Sequence, residues 1–333
     1  MKDRVLRRFI DIARQFPRVA LYSSVVWNHK FRFFPLSNHL VLTGLVLVLL
    51  HGRGFAQSPD SFNPNPDGLI SQILLQPDGK ILVAGGFNII GGLMQPGIAR
   101  LDIGGNLDKN FQVASFGVSR AMAIQEDGKI LIGGCSPARF NVDGSIDTSF
   151  NSASGICAFC MACQSDGKTV FGGTISQSGQ YPGGMGRFNS DGSLDSTFHP
   201  SVSGIVLALA VEPNGRLIVG GNFTSVSGQP RTNIARLNPD GTLDTPFTVS
   251  ANSPVWALAA LPDGSILVGG EFTSLGGQSR NNIGKLNGDG TLDPIFNPGA
   301  NGNVFSLAVQ ADGEIFAAGN FTLLGGQERV PLE

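Results

Sequence analysis

The feature that most constrains this chain is a turn that returns at a nearly fixed interval. Six turns read Pro77-Asp78-Gly79, Glu126-Asp127-Gly128, Ser165-Asp166-Gly167, Pro213-Asn214-Gly215, Pro262-Asp263-Gly264 and Ala311-Asp312-Gly313, with glycines 49, 39, 48, 49 and 49 residues apart. A Gly-Gly pair follows the first five, at Gly85-Gly86, Gly133-Gly134, Gly172-Gly173, Gly220-Gly221 and Gly269-Gly270, and the sixth copy reads Ala318-Gly319. A second turn keeps phase with the first, running Asn141–Gly144, Asn189–Gly192, Asn238–Gly241 and Asn287–Gly290, with a degenerate copy at Asp102–Gly105. Shortly after each come an apolar residue, an Asp, two variable residues and a Phe, the last being Phe111, Phe150, Phe198, Phe247 and Phe296. Such self-similarity means one supersecondary unit that cannot bury both its faces alone and must stack on its copies.

Two turns per unit divide it into four short strands. In the fourth copy they fall at about 205–212, 216–223, 233–238 and 242–247, where β-branched and aliphatic runs are bounded by Gly, Pro, Asn and Asp. A three-residue loop with glycine in the left-handed position fixes the register. For Pro239-Asp240-Gly241 it sets Leu237 opposite Leu243 and Arg236 opposite Asp244. The same register pairs Arg100 with Asp108, Arg139 with Asp147, Arg187 with Asp195 and Lys285 with Asp293, whereas a two-residue loop separates all five. In the first hairpin of the fourth unit it pairs Val211 with Leu217 and Leu209 with Val219.

Four antiparallel strands in about 49 residues is the size of a propeller blade. The expected fold is therefore all-β, a propeller of about six four-stranded antiparallel blades with the last incomplete; a right-handed β-solenoid is the alternative. Blades are expected at about 62–111, 111–150, 150–198, 198–247, 247–296 and 296–333, within a repeat domain spanning 57–333. Asp60-Ser61-Phe62-Asn63-Pro64 matches the end of a fourth strand, so the N-terminal strand at 57–62 is expected to complete the last blade like a clasp, in a chain read as a fragment or a truncated reading frame.

Residues 1–56 have a different character. Leu40–Leu50 is an apolar run too short to span a bilayer but suited to a signal-peptide core, and Gly54-Phe55-Ala56 sets small residues at the −3 and −1 positions for cleavage before Gln57. The body is expected outside the cytoplasm, secreted, periplasmic or at the cell surface, and off the membrane once this leader is removed. An uncleaved anchor or a start annotated too far upstream are the alternatives. The leader holds nine of the 23 Lys/Arg and two of the 25 acids, leaving 14 bases against 23 acids and a net charge near −9. An acidic body without a basic stripe excludes nucleic acid and anionic lipid as partners.

Asp78–Phe87 (Asp-Gly-Lys-Ile-Leu-Val-Ala-Gly-Gly-Phe), Ile98–Leu101 and Leu107-Asp108 with Phe111 resemble the delta-60 repeat, and the match covers about 59–328. That resemblance implies export and a propeller fold, in an uncharacterised family of secreted bacterial proteins. It implies no activity, cofactor or catalytic residue.

Candidate sites are few. Cys157, Cys160 and Cys163 are read first as small buried apolar substitutes on an inner strand. A disulfide from Cys135 to one of them suits an oxidising compartment. A shared metal is disfavoured because alternation turns Cys160 away from the other two. Asn238/Asp240/Asp244 and Asn287/Asp289/Asp293 are similar to calcium loops, but Arg236 and Lys285 occupy the place of a further ligand, so ordinary Asx turns are expected. His199 is the only histidine outside the leader and is read as a solvated loop residue, and Trp256 is read as core before sugar platform. The sequons at Asn222 and Asn320 sit at a repeated strand end and are read as structural. No catalytic, cofactor-binding or metal-binding residue is assigned. The expected role is a non-enzymatic extracellular interaction scaffold, monomeric or part of a longer chain. Its protein or glycan ligand is expected on the loops at 224–232, 273–281 and 174–184, the last with Tyr181. The alternative is a carbohydrate-binding or carbohydrate-active domain of a secreted enzyme.

Overall fold

The computed structural model describes residues 64–113, 121–152, 155–175, 184–309 and 313–328. The leader, the N-terminal strand at 57–62 and Tyr181 lie outside the described residues. Among those described there is no helix.

Each unit is built on an antiparallel hairpin of an inner and a second strand. The six are Leu69–Leu75 with Ile81–Gly86, Met122–Ile124 with Ile130–Ile132, Ile156–Cys163 with Thr169–Ile175, Val202–Val211 with Leu217–Val226, Val255–Ala260 with Ile266–Gly270, and Val304–Val309 with Ile315–Gly319. In the first five, a third strand pairs with the second: Ile98–Leu101, Ala138–Phe140, Met185–Phe188, Ile234–Leu237 and Ile283–Leu286. The hairpin glycines, from Gly79 to Gly313, have φ of 80–87°. A Cβ on Gly79, Gly167, Gly264 or Gly313 would meet nothing within 4 Å, so left-handed backbone and not lack of space demands glycine there.

The register follows the charge pattern. Val211 pairs with Leu217 and Leu209 with Val219. Leu237 bridges Leu243, with equivalent bridges at Leu101–Leu107, Phe140–Ile146, Phe188–Leu194 and Leu286–Leu292. That single bridge is all that remains of the expected fourth strand among the described residues. The cause is the Asp that follows it. Asp195 Oδ1 accepts from the backbone N and hydroxyl of Thr197 (2.9 and 2.6 Å), and Asp195 O accepts from Phe198 N at 3.1 Å. This turn lifts the chain off the sheet edge and tucks the Phe between units.

The core lies between hairpins and not within them. Leu82, Phe111 and Met122 pack the first unit against the second, Phe150 and Phe171 the second against the third, and Phe198 and Val219 the third against the fourth. Phe247 and Val268 join the fourth to the fifth, and Leu267 and Phe321 the fifth to the sixth. Ala308 and Phe316 of the last unit then pack with Ile73, Ile81 and Val83 of the first. A solenoid leaves its ends apart; here they meet, and the stack is a ring. Burying each such Phe contributes roughly 1.5–3 kcal/mol.

The ring is tied at its rim by one side chain per unit. Arg187 Nε donates to Asp195 Oδ2 at 3.0 Å, its guanidinium carbon lies 4.4 Å from the Phe198 ring centre, and its Nη1 donates to Pro239 O of the next unit at 2.6 Å. Arg100, Arg139 and Arg236 repeat all three contacts, reaching the carbonyls of Val142, Ser190 and Gly288. A planar fork serves two acceptors and a ring face at once, which an ammonium does not. Lys285 accordingly pairs, among the described residues, within its own unit, 3.6 Å from Asp293.

Candidate functional site

Five of the inner strands, with Ala121 just before that of the second unit, line one cavity of about 190 Å³. In these five the pairing slips by one residue at the same place, and the extra residue is Ser71, Phe159, Leu207, Trp256 or Phe305. The corresponding position of the second unit, Arg120, lies outside the described residues. The slip is written in the repeated glycines. A Cβ on Gly85, Gly173, Gly221 or Gly319 would stand 2.0, 1.9, 2.1 or 1.8 Å from the carbonyl oxygen of Leu69, Cys157, Ile205 or Asn303, and one on Gly270 would stand 2.3 Å from Pro254 O. Glycine alone lets the strands approach so closely, and the residue squeezed out of the ladder is re-aimed. Here it is aimed into the cavity, while its neighbours Val206, Val255 and Val304 stay fully buried.

The cavity wall is aromatic and held in place. Trp256 Nε1 donates to Glu271 Oε1 at 3.0 Å, and the same oxygen accepts from Asn303 Nδ2 at 3.1 Å. Phe305 meets the indole edge-on, with centroids 5.9 Å apart and planes at 84°. The polar groups are already engaged. Ser71 Oγ donates to Ala84 O at 3.0 Å, and the Gln72 amide exchanges two hydrogen bonds with the Met122 backbone. The strand pattern marks Trp256 as core, but it is half-buried, because the bulge turns it out of the inter-unit packing. The Gly-Gly pairs were the signal for this site, together with the inner-strand position that reads Ser71, Phe159, Leu207, Trp256 and Phe305.

A family model described as a domain of unknown function (DUF5122) beta-propeller matches residues 76–111, 125–150, 164–198, 212–247 and 261–296. The chain belongs to this family. Every matched segment of the DUF5122 β-propeller repeat ends on a rim Phe, and Ser71, Phe159, Leu207, Trp256 and Phe305 all fall outside the segments. No curated protein matches the chain. The WD40 β-propeller domain of Doa1 is similar in structure at 15% identity and a TM-score of 0.52, over 74% of each chain, and shows the fold alone. A streptogramin B lyase aligns at 16% identity and a TM-score of 0.49, over 77% of this chain and 80% of that one. A protein of unknown function from Bacteroides caccae aligns at 14% and 0.43, over 68% and 80%.

The other candidate residues find structural places. Cys157 is disulfide-bonded to Cys135, tying the second unit to the third. Beside that bond, Gly134 and Ala158 exchange two backbone hydrogen bonds across the same boundary. Cys160 packs towards the fourth unit and Cys163 towards the second, on opposite faces as alternation requires. Burial pushes the Cys160 thiol up to about 12, and burial with Asp127 and Glu126 nearby pushes Cys163 up to about 11, so both stay protonated at neutral pH. Asp240 Oδ1 accepts from the backbone N and hydroxyl of Thr242, Asn238 donates to that hydroxyl, and Asp244 holds Arg236; Asn287, Asp289 and Asp293 repeat the arrangement around Thr291 and Lys285. These are Asx turns. Asn320 Oδ1 accepts from Asn303 N, and His199 is exposed. The loops at 224–232 and 273–281 form short hairpins, pinned when Arg231 donates to Thr245 O and Arg280 to Asp293 O.

Proposed function

We propose that this β-propeller is an exported, non-enzymatic interaction scaffold that presents its loop hairpins to a partner outside the cytoplasm. The observation that carries this reading is the employment of its recurring carboxylates: Asp108, Asp147, Asp195, Asp244 and Asp293 each hold a cation of their own unit. Paired acids able to act as general acid and base on a sugar need freedom from such clamps. Export is supported by the apolar run Leu40–Leu50 and the small residues before Gln57. The six hairpins are taken as six blades, and the finer family assignment, the delta-60 repeat, rests on the Asp78–Phe87 pattern.

Crosslinking on intact cells, followed by mass spectrometry, tests the proposal. The expected result is a mature N-terminus at Gln57 and crosslinks to another exported protein, lost when 224–232 and 273–281 are replaced by Gly/Ser loops. Saturable glycan binding on an array, or turnover of a glycan by the purified protein, contradicts it and favours the carbohydrate-active reading.

A further inference from the structure

The geometry points to a second, independent site: the axial cavity takes a small uncharged aromatic molecule, stacked against a wall formed by Trp256, Phe305 and Phe159. Size sets the scale, because about 190 Å³ suits one or two rings and not an oligosaccharide. The polar accounting sets the class. The Ser71 hydroxyl proton goes to Ala84 O, the Gln72 amide is held on both sides by the Met122 backbone, and the Trp256 N–H goes to Glu271. A sugar entering there would have to share polar groups that are already engaged, and among the described residues no charged side chain lines the cavity to meet a charged ligand. A flat apolar ring needs neither. The edge-on pair of Trp256 and Phe305 offers it one ring face and one ring edge, the arrangement that aromatic quadrupoles favour.

The site is prepared in advance. Glu271 and Asn303, from adjoining units, fix the indole, so little side-chain freedom is lost on binding. Five closely approaching glycine positions set the bulges that aim the wall inward. The site stands whether or not a macromolecule docks on the loops, and its test is separate.

Calorimetric titration of the full chain with phenol is the experiment, with methyl glucoside and tetramethylammonium as rival probes. Saturable phenol binding is expected, roughly tenfold weaker in Trp256→Ala. In Leu207→Trp, which fills the cavity and leaves Trp256, Phe305 and Phe159 in place, binding is expected to vanish while the melting temperature is unchanged. Absence of phenol binding, tighter binding of either rival probe, or phenol binding unaltered by Leu207→Trp would overturn the inference.

Discussion

The rim and the axis of this ring obey opposite rules. At the rim four units carry the same Arg, Asp and Phe, and the same three contacts bind each to the next. At the axis the backbone repeats as faithfully, since five units share the bulge, but its side chain is Ser71, Phe159, Leu207, Trp256 or Phe305. Repetition of a side chain marks what every interface needs. Repetition of a backbone device with a changing side chain marks a frame on which a site can be composed.

The contrast predicts where substitutions hurt. The largest effect is expected at the rim, where Asp195→Ala strands the buried Arg187 and costs about 3–5 kcal/mol in denaturant unfolding. Asp293→Ala, which frees the more exposed Lys285, costs under about 1 kcal/mol; equal losses would break the distinction between fork and point charge. The same pair carries a pH signature. Burial raises the Asp195 pKa, but Lys168, Thr197 and Arg187 outweigh it and hold the carboxyl well below its ordinary value, and Ser149, Lys129 and Arg139 do the same for Asp147. Their stabilisation is present above the ordinary Asp range and is lost as pH falls through the depressed folded values. Asp195→Ala should flatten that acid limb.

Next in size is the disulfide. Where four units bury Phe87, Phe223, Phe272 or Phe321, the shortened second unit has the exposed Ser136, and the adjacent Cys135 reaches the third unit instead. Cys135→Ser should lower stability by about 2–4 kcal/mol, with no further loss on adding reductant.

A smaller effect, of opposite sign, is expected at Glu212. It stands where the third unit has Gln164, whose amide both accepts from Arg187 and donates to Pro239 O. Glu212 leaves Oε2 without a partner, and burial raises its pKa despite Arg236 and Arg216. Its folded pKa being raised, its stabilisation is full below the ordinary Glu value and fades as pH rises through the folded value. Glu212→Gln should therefore gain about 1 kcal/mol at neutral pH, shrinking towards acid. Smallest of all, Phe305→Ser at the axis should change stability by under about 1 kcal/mol, since that ring is 42% exposed. A large loss there would make the axis scaffold, like the rim.

Much of the rim was legible because it is periodic. The five cation–Asp pairs and the loop register follow from spacing alone. The fourth strand was misjudged: Asp108 and its repeats have strand-like neighbours, but their second carboxylate oxygen starts a turn, which a residue pattern does not distinguish from pairing. The cysteines divided between two readings, Cys157 joining Cys135 while Cys160 and Cys163 serve as core. Trp256 aligns with Phe159 and Leu207 on the inner strand, and that alignment does not show that the ladder slips beside Val255 and turns all three out of the inter-unit packing. The Gly-Gly pairs held that information as a requirement for close approach, visible only once the opposing carbonyl is in place.

Both halves of the contrast depend on ring closure, and a double-mutant cycle between Phe316 of the last unit and Ile81 of the first tests it most directly. Phe316→Ala and Ile81→Val, singly and together, should show a coupling of about 0.5–3 kcal/mol in unfolding free energy, although the residues lie at opposite ends of the repeat array. Losses that add to within about 0.5 kcal/mol would mean that the ends do not meet, and the axis would no longer exist as a site.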